Sequence, residues 1–229
     1  MLNEAETEIV VLTLKVGALS VAVSLLPGVL LGWLLARWKS PLRALVQGLV
    51  MLPLVLPPVV TGYLLLRVFG VRGPVGAAWE SISGGRIAFT TAACVIAAAV
   101  VGFPLMVESI RLSILGVDRR LEQISRTLGR GRWATFARIT LPLALPGIVA
   151  GCVLSFARSL GEFGATIILA GDIEGETRTI PIGVYSLLNS VEGDEAAMRL
   201  VLVSVALSLT ALLLAFAFLG YQRRRLGNP

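Results

Sequence analysis

Five long stretches of the chain carry no charged residue, and the polar residues gather between them. The runs are Val16–Ala36, Ala44–Leu66, Ile87–Val107, Ile139–Ala157 and Leu200–Gln222, of 21, 23, 21, 19 and 23 residues. A bilayer core of about 30 Å takes about 20 apolar residues of helix to cross, so each run is long enough. The runs contain Pro27, Pro53, Pro57, Pro58, Pro104, Pro142 and Pro146. Such prolines would break helices in water but are tolerated in membrane-spanning ones. The pattern predicts an all-α integral membrane protein with one domain, residues 1–229. Its five spans lie near 10–36, 44–67, 87–110, 139–160 and 199–222. Pro57-Pro58 is expected to disturb the second span, as a kink or as a break. Phe163–Gly171 and Thr179–Val191 are too short to cross. They belong to an acidic interval, 161–198, expected to be a folded external loop, with a dip into the membrane left open.

Composition narrows the choice. The chain is 56% apolar and 15% charged, with a mean hydropathy of +0.86. Soluble domains are about 45–50% apolar and about 25% charged, so a soluble domain is excluded. There is no histidine, which removes His-based triads and His metal sites. Cys94 and Cys152 are too few for an all-cysteine zinc site. No catalytic residue, no metal ligand and no cofactor are therefore expected, and the cysteines are expected to pack as small apolar groups.

Charge orients the spans. Arg37, Lys39 and Arg43 fill the first connection, seven arginines lie in Glu108–Arg138, and Arg223, Arg224 and Arg225 follow the last span. These three segments hold 13 of the 20 basic residues and 3 of the 14 acidic ones. Basic residues collect in cytoplasmic loops, so these segments are placed inside. The N-terminus is then outside and the C-terminus cytoplasmic. The arginines are juxtamembrane, so the basic balance reports topology and no nucleic-acid partner is expected.

The cytoplasmic segment 112–138 carries the most information. Asp118 is placed to cap a helix. Leu121, Ile124, Ser125 and Leu128 fall at helical spacing and form a narrow apolar face. Arg119, Arg120, Glu122, Gln123 and Arg126 supply the polar surface. Gly129 is placed to end the helix. Trp133 and Phe136 begin a second amphipathic segment leading into the fourth span. Periodicity alone also fits an interfacial helix that merely anchors a loop.

The order Glu122-Gln123, then Gly129 six residues on, then Ile139-x-Leu141-Pro142, resembles the signature loop of ABC importer permeases. In that family the loop forms a coupling helix that docks in a groove of the ATPase subunit. The resemblance implies this role for Leu121, Glu122, Gln123, Ile124, Ser125, Arg126, Leu128 and Gly129. Where the family usually has two alanines, this chain has Ile124 and Ser125. Three further segments are similar to the molybdate permease subunit of the binding-protein-dependent transport family. They are Pro53–Tyr63, Ser155–Thr166 and Gly175-Glu-Thr-Arg-Thr-Ile-Pro181. Sulfate permeases share a Gly-Glu-aromatic-Gly segment, but Gly175–Pro181 favours molybdate; tungstate is a near alternative.

The implied partners are an ABC ATPase at the cytoplasmic face, an external or periplasmic molybdate-binding protein, a second copy of the chain forming a homodimeric pathway, and membrane lipid. The implied location is the bacterial inner (plasma) membrane. The sequence has no G-x-x-x-x-G-K-[ST] phosphate loop, so ATP hydrolysis falls to another polypeptide. Ionisable residues at membrane depth are functional candidates. Arg158 and Glu162, four apart, form either a structural ion pair or an aid to a passing oxyanion. Thr61, Ser155, Ser159 and Thr166 are the hydroxyl candidates for the pathway, or else small-residue helix contacts. Asp172, Glu174, Glu176, Glu192, Asp194 and Glu195 are candidates to receive the binding protein. An ion-coupled secondary transporter is the rival class, but no acid lies mid-span. A membrane-embedded enzyme would need a nucleophile or base at depth, and none is visible.

Overall fold

The computed structural model describes residues 2–190 and 193–225. Helix α1 (Glu4–Arg37) covers the whole first apolar run with Pro27 inside it. Its start is fixed reciprocally: the Glu6 amide donates to Asn3 Oδ1 at 2.7 Å and the Asn3 amide to Glu6 Oε2 at 2.9 Å. This satisfies two of the amides that a helix start leaves free.

The second run is not one helix. It forms α2 (Leu42–Val55) and α3 (Pro58–Phe69), which meet at 112°. Pro57 pushes Leu56 into extended backbone, with φ −67° and ψ 142°. Two adjacent prolines also remove two amide donors. The expected disturbance is therefore a break, and residues 44–67 do not form a continuous span.

A short α4 (Pro74–Ser83) leads to α5 (Thr91–Leu115). Next come α6 (Arg119–Thr127), α7 (Arg132–Thr135), a π turn (Phe136–Thr140) and α8 (Leu141–Leu160). From Arg132 to Leu160 the chain is one continuous rod. The π turn widens the helix where Pro142 has no N–H and its ring crowds the carbonyl four residues back. Helices α9 (Gly164–Ala170), α10 (Ile180–Leu188) and α11 (Asp194–Arg225) complete the described chain. Four of the described helical stretches are long and apolar enough to cross a membrane, and the bent α2–α3 pair makes a fifth if taken as one element.

Helix α5 is the centre. Its face Ala93, Cys94, Ala97, Ala98 and Val101 packs with Val16 of α1 and with Ala165, Leu169 and Ala170 of α9. Its other half, through Met106, Ile110 and Ile114, packs with Ala36, Ala144 and Ile148. Membrane helices associate through small residues and side-chain hydrogen bonds, since lipid removes the hydrophobic drive between them. Both devices join α5 to α8. A Cβ on Gly102 would lie 2.5 Å from Ser155 Oγ. Ser109 Oγ donates to the Gly147 carbonyl at 2.9 Å, and Ser113 Oγ to the Ala144 carbonyl at 3.2 Å. Cys94 and Cys152 are separate free thiols, the first fully buried.

The interval 161–198 is more than an external loop. Buried residues of α9 and α10 build it into the bundle. Between them the turn is closed by Thr177, whose hydroxyl accepts from the Ile173 amide at 2.9 Å. Thr91 Oγ1 reaches the Glu176 carbonyl at 2.8 Å, and the Ile180 amide donates to Thr13 Oγ1 at 2.8 Å. The Gly175–Pro181 stretch thus ties the turn to α5 and α1. By contrast α2 has no buried residue at all.

Candidate functional site

Helix α6 begins as the sequence predicts. Asp118 Oδ1 accepts from the Arg120 amide at 2.8 Å. It also ends as predicted. Gly129 is left-handed, with φ +83°. The Gly129 amide donates to the Arg126 carbonyl and the Arg130 amide to the Ser125 carbonyl, at 3.0 and 3.2 Å. That pair of bonds is the Schellman closure.

The faces of α6 differ from the expectation in two residues. Glu122 is buried, not part of the polar surface, and Ser125 points inward with it. Arg37 Nη2 donates to Glu122 Oε1 at 2.8 Å, and Thr140 Oγ1 donates to the same oxygen at 2.6 Å. The Ser125 and Thr135 hydroxyls lie 3.1 Å apart. A carboxylate is buried only where charge and hydrogen bonds compensate it, and here the end of α1 and the π turn supply both. Beside this polar clip, Trp33 stacks at 4.9 Å from Phe136 and 5.3 Å from Trp133. Leu121, Ile124 and Leu128 are left on the outer face, 44%, 56% and 76% exposed. Gln123 and Arg126 are also exposed. The helix is thus held rigidly from behind and offers an apolar ridge to whatever lies beyond the chain.

Periodicity missed Arg37 and Thr140. The only signal for Arg37 is that it ends an uncharged run, and Thr140 carries none.

The second candidate group lies at the opposite end of α8, whose 20 residues span about 30 Å. Arg158 Nη1 and Glu162 Oε2 are paired at 2.9 Å. Glu162 Oε1 also accepts from the Ala165 amide at 2.8 Å, which caps α9. Glu162 is therefore a structural group, while the Arg158 side chain keeps 31% exposure. Thr61, Ser155, Ser159 and Thr166 are all buried within the chain. Ser159 Oγ donates to the Phe156 carbonyl at 2.7 Å. The hydroxyls of Thr61 and Ser155 are buried with no hydrogen-bond partner. α3 and α9 are pressed together at Gly62, where a Cβ would lie 2.8 Å from Ala165 Cα.

Two acidic residues of the outer interval, Asp172 and Glu174, have a local partner. Arg178 pairs with Asp172 at 2.5 Å and also with Glu174. The hydrogen bonds that Arg178 donates to Asp172, with the charges of Asp172 and Glu174 added, hold its guanidinium above its ordinary pKa. Asp194 and Glu195 occupy the first turn of α11, where negative charge is favourable. Glu176 is exposed, and Glu192 lies outside the described residues.

Helix α6 is thus a capped helix with an apolar outer ridge, set between two long apolar helices. The family model described as "Binding-protein-dependent transport system inner membrane component" matches residues 28–228. The chain belongs to this family. Over 228 residues and the full length of both chains it is 50% identical to the "Molybdenum transport system permease protein ModB" of Escherichia coli (strain K12). It is 45% identical to the protein of the same name from Haemophilus influenzae, over 95% of each chain. Among solved structures it resembles a bacterial alginate ABC transporter in complex with an alginate pentasaccharide-bound periplasmic protein. There the TM-score is 0.71 at 21% identity, covering 98% of this chain and 80% of that one. The permease is a multi-pass membrane transport component of the ABC type, not an enzyme.

Proposed function

We propose that the permease forms, as a homodimer, the translocation pathway for molybdate in an ATP-driven importer of the bacterial inner membrane. A separate ATPase docks on α6 from the cytoplasm, and an external binding protein delivers the anion. The observation that carries this reading is the posture of α6: Glu122 clipped behind, with Leu121, Ile124 and Leu128 uncovered in front. A water-exposed apolar ridge is favourable only when a partner covers it, at about 1.5–3 kcal/mol for each large side chain. The clip then transmits the partner's movement into α1 and α8. Support for the substrate class is the 50% and 45% identity, over 100% and 95% of this chain, to proteins named molybdenum transport permeases.

Within this reading the basic segments lie inside. Arg158 is the cation that meets the oxyanion, held in orientation by Glu162. The uncovered α2 and α3 supply faces for the second copy. The test is uptake of radiolabelled molybdate into proteoliposomes holding the permease, its ATPase, the binding protein and internal ATP. Uptake is expected to need both ATP and ATPase, to resist equal sulfate, and to yield to tungstate, which shares the charge and size of molybdate. Uptake without the ATPase overturns the class; competition by equal sulfate overturns the substrate.

A further inference from the structure

A cavity of about 520 Å³ opens between the end of α1 and the start of α6. Arg37, Lys39, Arg119, Arg126 and Arg132 line it, against one carboxylate, Glu122. That carboxylate is already engaged by Arg37 and Thr140. Lys39, Arg119, Arg126 and Arg132 take part in no ion pair among the described residues. Arg37 has two buried nitrogens, Nε and Nη1, with no hydrogen-bond partner. Unmatched buried N–H groups beside a surplus of guanidinium forks call for an oxyanion, the geometry that arginine binds best. The lining also includes an apolar group from the end of α1: Trp33, Leu34 and Trp38. The cavity sits where the first uncharged run stops, at the level where tryptophan and basic residues meet lipid headgroups.

We propose that this cavity holds the phosphate of an anionic phospholipid from the leaflet on the basic side of the chain. The phosphate sits among the arginines, and the glycerol and upper acyl chains lie along Trp33, Leu34 and Trp38. Inorganic phosphate and molybdate share the tetrahedral oxyanion chemistry, but neither has use for the apolar lining. The leaflet assignment rests on the reading that places α6 in the cytoplasm; the site itself does not. Bound there, the lipid bridges α1 to the helix that receives the ATPase.

The test is native mass spectrometry of the intact membrane assembly, extracted from vesicles of phosphatidylglycerol and phosphatidylcholine in equal proportion. Retention of phosphatidylglycerol over phosphatidylcholine is expected, unchanged by millimolar phosphate or molybdate. The double variant Arg119→Gln with Arg132→Gln leaves the Arg37–Glu122 clip alone. It is expected to weaken that preference on the order of tenfold, from the loss of two cations near the headgroup. The control Arg67→Gln with Arg72→Gln removes the same charge elsewhere and is expected to change nothing. Equal retention of the two lipids, or equal loss in both variants, overturns the proposal. Displacement by free phosphate or molybdate overturns the lipid as the occupant and makes the site one for a soluble oxyanion. No outcome depends on uptake, so failure here and failure of the transport reading are separable.

Discussion

Arg37 and Glu122, 85 residues apart in sequence, are joined at 2.8 Å. Their bond locks the last turn of α1 to the first turn of α6, with 16% and 8% of the two side chains exposed. Thr140 shares the acceptor oxygen at 2.6 Å, so α1, α6 and the π turn before α8 meet at one atom. In the proposed reading, a push on α6 is delivered through this atom to the ends of two long apolar helices. The π turn at this junction is the kind of local widening often found at functional positions.

Removing Glu122 tests that junction. Glu122→Ala strands Arg37 and is expected to destabilise the permease by about 2 kcal/mol, less than for a fully buried pair because water reaches Arg37. Thr140→Val removes one hydrogen bond to a charged acceptor and is expected to cost about 1.5 kcal/mol. Glu122→Gln keeps an acceptor for both partners and is expected to fall between wild type and Glu122→Ala. Thermal unfolding in detergent ranks the three, and ATP-dependent uptake is expected to follow the same order. Full uptake by a folded Glu122→Ala protein would rule out coupling through this atom.

The outer ridge makes a different demand. Ile124→Asp and Leu128→Asp alter side chains that touch little of the permease itself, so unfolding temperature is expected to stay unchanged. Each replacement places a charge where the ATPase would bury an apolar group, and affinity is expected to fall at least tenfold, since one such side chain is worth about 1.5–3 kcal/mol. Titration of the detergent-solubilised permease with its ATPase measures this. Unchanged affinity in both variants would mean that the partner sits elsewhere.

These two experiments divide along the line between what was legible in the sequence and what was not. Four of the five apolar runs, the Asp118 cap, the Gly129 stop and the Arg158–Glu162 spacing are local features, and each has its structural counterpart, whereas the second run is broken in two. The inward turn of Glu122 was hidden, because helical periodicity assigns a carboxylate to solvent unless its partner is known. That partner, Arg37, comes from a distant helix. Helical spacing sets Ser125 with the apolar face, but its partner is the Thr135 hydroxyl, ten residues on. Pro57-Pro58 announces a disturbance but not its size: α2 and α3 meet at 112°, and α3 packs on α9, a contact distant in sequence. The polar stretch after α9 reads as a loop, yet backbone and threonine hydrogen bonds tie it to α5 and α1.

Arg158 separates structure from transport at the other end of α8. Arg158→Gln leaves Glu162 still bound to the Ala165 amide, so the fold is expected to hold. If the guanidinium meets the anion, molybdate uptake is expected to drop at least tenfold while ATPase affinity stays constant. Glu162→Ala removes the α9 cap as well and is expected to cost about 1–2 kcal/mol, the range for a lost helix cap. Wild-type uptake by Arg158→Gln would reduce the pair to a structural ion pair.

The last contrast tests the break between α2 and α3. On α3, a Cβ at Gly62 would lie 2.8 Å from Ala165 Cα and 2.9 Å from its carbonyl oxygen. Backbone atoms cannot step aside as a flexible side chain can, so Gly62→Ala must push α3 away from α9. Overpacking of this kind costs about 1–3 kcal/mol. On α2, a Cβ at Gly48 meets nothing within 4 Å. Gly48→Ala is therefore expected to be neutral or to stabilise by up to about 1 kcal/mol through helix propensity. Because α9 starts from the Glu162 cap, displacement of α3 is expected to reach the Arg158–Glu162 pair and lower uptake. Thermal unfolding and uptake measured on both variants decide it. Equal behaviour of the two would mean that the α3–α9 contact does not position the outer end of α8.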